Sequence, residues 1–177
     1  MKRSTKNLVR ASLLMALGLL LPFLTGQIPQ IGSALCPMHI PVLLCGFLCG
    51  WPWGLAVGFI APLLRSVLFG MPPMFPGAVA MAFELAVYGG VAGFLYRKFP
   101  KTIPGIYASL LIAMILGRVV WGIVRLVLAG IAGNGFTFAA FLSGAITTAI
   151  PGIIVQLVLI PVIVYALEKA GLNANRD

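Results

Sequence analysis

The residues with which this chain could do chemistry are the few polar side chains that interrupt its apolar segments. An ionised side chain at the centre of a membrane span costs at least ~2.5–3.5 kcal/mol on insertion scales, so each one needs a partner, a cavity or a function. Arginine also presents a planar fork of donors that suits a carboxylate or a phosphate. The side chains in question are His39, Arg65, Glu84, Arg118, Arg125 and Gln156.

Spacing groups several of these side chains on helical faces. Arg118, Trp121 and Arg125 follow an i, i+3, i+7 pattern, and seven steps of ~100° fall only ~20° short of two full turns. Glu84 and Tyr88 lie one turn apart on another segment. These faces predict an anion-binding pocket in the outer half of the membrane, with aromatic walls. Its predicted substrate-binding residues are His39, Arg65, Glu84, Tyr88, Arg118, Trp121 and Arg125.

The same polar residues could have structural roles instead of binding a ligand. Glu84 could neutralise Arg65 or Arg118 in a structural ion pair, which could also border a pocket. Arg125 could extend to the membrane interface without binding anything. Gln156, near the middle of the last apolar segment, is expected to make an interhelical hydrogen bond.

Two ring-bearing residues of the predicted pocket have similar alternatives. His39 lies between Pro37 and Pro41 at the start of an apolar run, where it could cap a helix, bond a loop carbonyl, contact a substrate or latch a loop. Trp121 could pack against neighbouring helices instead of stacking on a ligand.

Composition indicates whether these residues lie in water or in a membrane. Of 177 residues, 61% are hydrophobic and 8% are charged, and the mean hydropathy is +1.10. These values predict an all-α integral membrane protein with a single domain covering residues 1–177. With one histidine, no P-loop and no metal-ligand spacing, the chain is predicted to have no catalytic residue, metal or cofactor. Its three cysteines are interpreted as small structural side chains.

Apolar length and punctuation predict six spans. The segment 40–70 would be ~46 Å long as one helix, against ~30 Å of hydrocarbon, so a break is expected at Trp51-Pro52-Trp53. In the same region Gly46, Gly50, Gly54 and Gly58 recur every four residues, a pattern that favours close helix packing or, alternatively, contact with a partner. The expected spans are about 8–24, 40–50, 53–70, 77–96, 103–131 and 141–167.

Basic residues predict the orientation. With six spans, the charged ends and the 97–101 connection fall on one side, whereas the connections 25–39, 71–76 and 132–140 carry no charge. The positive-inside rule therefore places both termini in the cytoplasm and excludes a nucleic-acid face as the reason for the net charge of +9. The orienting charges are Lys2, Arg3, Lys6, Arg10, Arg97, Lys98, Lys101, Lys169 and Arg176.

The stretch "PMHIPVLLCGFLCGWPWGLAVGF", from Pro37 to Phe59, carries a family resemblance. With six spans in under 200 residues, a basic N-terminus and an uncharged loop before a short second helix, the chain closely resembles the substrate-binding (S) components of energy-coupling factor (ECF) vitamin transporters. The resemblance covers essentially the whole chain, and His39-Ile40-Pro41-Val42 is its most specific part.

The resemblance implies a mechanism and partners. An S component of this kind captures a vitamin or a precursor at the outer surface of a prokaryotic plasma membrane. The loop between helices one and two closes its pocket. It works with a transmembrane coupling protein and two ATPases, and family members are thought to topple in the membrane to deliver substrate. Helix-one AxxxA motifs contact the coupling protein in this family; here Ser12-x-x-x-Ala16 is a degenerate version and marks the expected partner interface.

The leading hypothesis is therefore capture of a small anionic vitamin or precursor for ATP-driven import. The His-Ile-Pro segment resembles that of the S components assigned to pantothenate, whose carboxylate would suit the arginines. A stand-alone or proton-coupled carrier of organic anions is the alternative, and a membrane assembly factor without a ligand is the third hypothesis. Uptake by cells that make the chain with and without the coupling module separates the first two.

Overall fold

The fold consists of helices, and residues 3–25 and 35–170, which the computed structural model describes, contain no strand. A short 3₁₀ turn, Leu21–Thr25, extends the first helix, and two π-type turns, Met74–Ala78 and Ser143–Thr147, precede α4 and follow α6. The helices are α1 Arg3–Leu20, α2 His39–Cys49, α3 Trp51–Phe69, α4 Val79–Lys98, α5 Ile103–Ile131, α6 Phe138–Leu142 and α7 Ile150–Lys169.

Length separates α2 from the membrane-spanning segments. α2 has 11 residues, which span only ~17 Å against ~30 Å of hydrocarbon. The prediction of an all-α membrane protein is confirmed, whereas the number of spans and the side on which the termini lie stay predictions. Within the described part of the chain, five segments are long and apolar enough to cross a bilayer, namely Ser4–Leu24, Trp51–Phe69, Met74–Lys98, Ile103–Ile131 and Phe138–Lys169.

The expected break in the segment 40–70 is present, one residue before the Trp-Pro-Trp sequence. Gly50 separates α2 from α3 with φ 97°, a backbone conformation that glycine adopts without strain. Pro52 lies in the first turn of α3, where its missing N–H has no helical partner to lose. Glycine thus ends one helix and proline begins the next.

The last apolar segment differs from the expected continuous span 141–167. It begins earlier, at Phe138, with Thr137 Oγ1 accepting a hydrogen bond from the Ala140 amide at 3.2 Å. The turn Ser143–Thr147 then interrupts it before α7. Pro151 lies in the first turn of α7, a position that suits the start of a helix rather than its interior.

Glycines allow α2, α3 and α4 to pack closely. A Cβ atom at Gly46 or Gly54 would overlap the backbone of Gly89 on α4, and one at Gly58 would overlap the backbone of Leu85. The packing interpretation of the four-residue glycine repeat is therefore confirmed at these positions. α4 packs against α2, α3 and α5, so Glu84 and Tyr88 in its middle lie in the interior of the helix bundle.

Candidate functional site

Glu84 lies at the centre of a buried polar cluster. α4 carries Glu84 and, one turn later, Tyr88 on the same face, and the two residues are 1% and 0% exposed. Because α2, α3 and α5 all pack against α4, this face is enclosed by neighbouring helices. A carboxylate so deeply buried requires compensation by opposite charge or hydrogen bonds.

His39, the first residue of α2, reaches this face of α4. Its backbone amide donates to the Cys36 carbonyl at 3.0 Å, which fixes the turn before the helix. Its imidazole Nε2 lies 3.5 Å from Glu84 Oε1. The ring meets Tyr88 edge-on, with centroids 5.3 Å apart. The short α2 therefore places the only histidine of the chain against the buried carboxylate.

Arg118 completes the cluster from α5. The preceding residue, Gly117, brings α5 close to α4, because a Cβ at this position would overlap the Tyr88 ring. Arg118 Nη1 lies 3.0 Å from Glu84 Oε1, and Nη2 donates to Cys36 Sγ at 3.7 Å. Arg118 is thus the partner in the structural ion pair that was considered for Glu84. We refer to Cys36, His39, Glu84, Tyr88 and Arg118 as the Glu84 cluster.

Several polar atoms of the Glu84 cluster are unsatisfied. Among the described residues, no hydrogen-bond partner is present for the buried His39 Nδ1, the Tyr88 hydroxyl or Arg118 Nε. Buried polar atoms without partners are rare in native proteins, since each costs about 1–3 kcal/mol. These donors and acceptors are the groups with which the cluster could bind a polar ligand.

Cys36 is a member of the cluster that sequence reasoning treated only as a small packing residue. Burial raises the pKa of the Cys36 thiol above its ordinary value, and the nearby Arg118 guanidinium opposes this shift without reversing it. Cys36 therefore contacts Arg118 as a neutral thiol. No spacing in the sequence connects the two residues, which are 82 positions apart.

Arg65 contacts the end of α1 and two phenylalanine rings, and its predicted part in the substrate pocket stays a prediction. It is buried, and its Nη1 donates to the carbonyl of Leu19 at the end of α1. Its guanidinium also lies 5.1 Å from the centroid of the Phe23 ring and 5.4 Å from that of Phe69. Arg65 faces the end of α1, and the Leu19 carbonyl together with the Phe23 ring and the Phe69 ring, one turn further along α3, accommodates the cation.

Trp121 and Arg125 form a second cluster along α5, with residues of the following segment. The Arg125 guanidinium lies 5.6 Å from the Trp121 ring centroid and 5.8 Å from that of Phe136. Trp121 also packs on Phe141, with centroids 6.3 Å apart. A Cβ at Gly144 would overlap the Trp121 ring. Packing thus occupies the indole to a large extent, as the alternative for Trp121 anticipated.

Two further features bear on chemistry. Gln156 on α7 is buried, and its Oε1 has no hydrogen-bond partner among the described residues. The interhelical hydrogen bond expected of this side chain stays a prediction. Within residues 3–25 and 35–170, no three His, Cys, Asp or Glu side chains come together as a metal site would require. The unpaired donors and acceptors of the Glu84 cluster are suited to binding a polar ligand.

Comparison with known proteins identifies a family for this chain. A family model described as "ECF transporter, substrate-specific component" matches residues 6–164. No curated protein and no solved structure gives a significant match.

Proposed function

The chain belongs to the family of ECF transporter substrate-specific components, and on this premise we propose that it captures a small anionic vitamin or precursor for ATP-driven import. The observation that carries the proposal is the Glu84 cluster, in which three buried polar atoms lack partners among the described residues. A ligand that paired His39 Nδ1, the Tyr88 hydroxyl and Arg118 Nε would remove the cost of leaving them unsatisfied.

The ligand is proposed to be an anion because Arg118 is a fixed cation with an unpaired donor. Glu84 neutralises part of that charge and holds the guanidinium in place at 3.0 Å. Pantothenate is our specific proposal, since it combines a carboxylate for Arg118 with hydroxyl groups that His39 and Tyr88 could bind.

Energy for import is proposed to come from partners. The sequence contains no P-loop, so a transmembrane coupling protein and two ATPases would drive transport in a prokaryotic plasma membrane. Ser12 and Ala16 are both exposed on α1, where small side chains would allow a partner helix to approach closely.

The proposal is tested by identifying the bound molecule and by measuring uptake. The chain purified in detergent is extracted and analysed by mass spectrometry, and uptake of labelled pantothenate is compared in cells that make it with and without the coupling module. Uptake only with the module supports an S component. Uptake by the chain alone supports the alternative, a stand-alone or proton-coupled organic-anion carrier.

A further inference from the structure

An apolar groove runs between α5 and the segment that follows it. Its volume is about 410 Å³. Gly122 allows the Phe141 ring to pack directly against α5, because a Cβ at this position would overlap that ring. We propose that this groove binds an acyl chain of an anionic phospholipid whose phosphate is held by Arg125. The side chains that form its walls include Val119, Ile123, Leu126, Phe136, Phe138 and Phe141.

The groove walls are too exposed to be part of a protein core. Ile123 and Leu126 are each 56% exposed and Phe138 is 73% exposed. In a bilayer such side chains contact lipid, and a concave surface between helices holds one chain more firmly than a flat helix face because it contacts that chain on more than one side. The shape and composition of the groove therefore fit a hydrocarbon chain.

Arg125 supplies charge complementarity to an anionic headgroup. Its guanidinium lies over Phe136, which also lines the groove. The ion pairs of Glu84 go to His39 and Arg118, and within the described part of the chain none involves Arg125. Arg125 Nε is buried and has no hydrogen-bond partner there. A phosphate at the Phe136 end of the groove would meet an uncompensated, fork-shaped donor.

The expected depth of Arg125 in the bilayer allows a lipid phosphate to reach its side chain. α5 has 29 residues, or ~44 Å, so ~7 Å would project beyond each side of a ~30 Å hydrocarbon layer if the helix were centred. Arg125 lies six residues before Ile131, ~9 Å from the helix end. It would therefore lie ~2 Å inside the hydrocarbon boundary, with the groove wall at residues 119–123 extending toward the bilayer centre.

The site is independent of the proposed substrate site. The Glu84 cluster is formed by Cys36 and by residues of α2, α4 and the middle of α5, whereas the groove is lined by other α5 residues, between 119 and 126, and by residues of the segment 136–141. Lipid binding can therefore fail while substrate capture holds, and the reverse is also possible.

The test uses native mass spectrometry of the full-length chain with palmitoyl-oleoyl phosphatidylglycerol and palmitoyl-oleoyl phosphatidylcholine added in equal amounts. We expect retention of one phosphatidylglycerol per chain in preference to phosphatidylcholine. Arg125→Gln should reduce this preference about tenfold, the loss expected for one charge-assisted hydrogen bond. Arg97→Gln, which removes an exposed cation at the end of α4, is the matched control and should leave the preference unchanged.

A second pair of variants tests the groove itself. Leu126→Trp should fill the groove and abolish retention of the lipid. Val127→Trp should not, because Val127 is the adjacent residue, is 54% exposed and does not line the groove. Thermal unfolding of all four variants verifies that they are folded.

Several outcomes would overturn the proposal. These are equal retention of the two lipids, a preference that survives Arg125→Gln, or displacement of phosphatidylglycerol by millimolar inorganic phosphate, which would indicate a simple anion site. A change from dimer to monomer in Leu126→Trp, without a change in lipid count, would indicate that the groove binds a second copy. Loss of pantothenate binding in Arg125→Gln with lipid retention intact would assign this arginine to the substrate.

Discussion

At the residue scale, one carboxylate oxygen of Glu84 makes two contacts. Its Oε1 lies 3.0 Å from Arg118 Nη1 and 3.5 Å from His39 Nε2. A buried carboxylate of this kind stabilises the fold only while its cation is present, because each charge has lost most of its contact with water. Its structural and ligand-binding roles are compatible, since a guanidinium held by Glu84 is also oriented toward a ligand.

The Glu84–Arg118 pair predicts a non-additive effect on stability. Arg118→Met should lower the free energy of unfolding by ~3–5 kcal/mol, since it leaves a buried carboxylate unpaired. Combining it with Glu84→Gln should cost clearly less than the sum of the two single changes. Denaturant unfolding of the purified variants measures this, with the exposed Arg97→Met as a control expected within ~0.5 kcal/mol of the parent. Strict additivity would show that the two side chains do not interact.

Two fully buried tyrosines on α4 should respond differently to removal of the hydroxyl. The Tyr88 hydroxyl has no partner among the described residues, whereas the Tyr96 hydroxyl donates to Glu168. Tyr88→Phe should therefore leave stability unchanged or raise it, while weakening pantothenate binding about five- to tenfold. Tyr96→Phe should lower stability by ~1 kcal/mol or more and leave affinity unchanged. Calorimetric titration and thermal unfolding measure the two effects, and the opposite assignment would remove Tyr88 from the site.

At the scale of the helices, the distance at which neighbouring helices pack determines which side chains meet. Gly46 on α2 and Gly54 on α3 both contact the backbone of α4 at Gly89. This close approach places His39, at the start of α2, against Glu84. The glycine contacts and the polar cluster are therefore consequences of the same helix arrangement.

Substitution of a packed glycine should separate helix packing from helix propensity. Gly89→Ala places a Cβ into the backbone of Gly54 and should cost at least ~1–3 kcal/mol. Gly130→Ala on α5, where no atom lies within 4 Å of the added Cβ, should be neutral or stabilising by up to ~1 kcal/mol. The yield of folded protein and its thermal stability measure both. Equal behaviour of the two variants would contradict the packing interpretation.

The exposed face of α1 carries a prediction about assembly. Ser12→Leu or Ala16→Leu should weaken co-purification of the coupling protein, because a bulky side chain prevents close helix approach. Pantothenate binding by the isolated chain should be unchanged, since both residues are exposed. Ala139→Leu, at an exposed position of α6, serves as the control. Unchanged pull-down in both α1 variants would exclude this face as the docking site.

At the scale of the whole molecule, the basic residues predict the orientation of the chain in the membrane. Cysteine labelling measures this orientation directly. The positive-inside rule predicts that Met74→Cys is labelled by an impermeant maleimide from outside the cell and that Phe99→Cys is labelled only after permeabilisation. The native cysteines Cys36, Cys45 and Cys49 are all buried and should give a low background. The reverse pattern at either introduced cysteine would exclude the six-span topology.

Sequence alone determined the properties that depend on local composition. Apolar length predicted the helical segments, because a bilayer requires about 20 apolar residues for each crossing. Segment length and proline predicted the break between α2 and α3, because one helix of 31 residues would exceed the bilayer thickness and the backbone preference of proline is intrinsic. Helical spacing likewise placed Glu84 with Tyr88 and Arg118 with Arg125 on common faces, since the helical repeat is fixed.

Tertiary structure alone decided which of these faces meet. Periodicity assigns a side chain to one face of its own helix but contains no information about which neighbouring helix that face contacts. The packing of α4 against α2 and α5 selected Arg118 rather than Arg65 as the partner of Glu84, and it brought Cys36 within reach of Arg118. Arg65 instead donates to a carbonyl at the end of α1. The partner of a buried cation depends on groups that are distant in sequence and adjacent only in the fold.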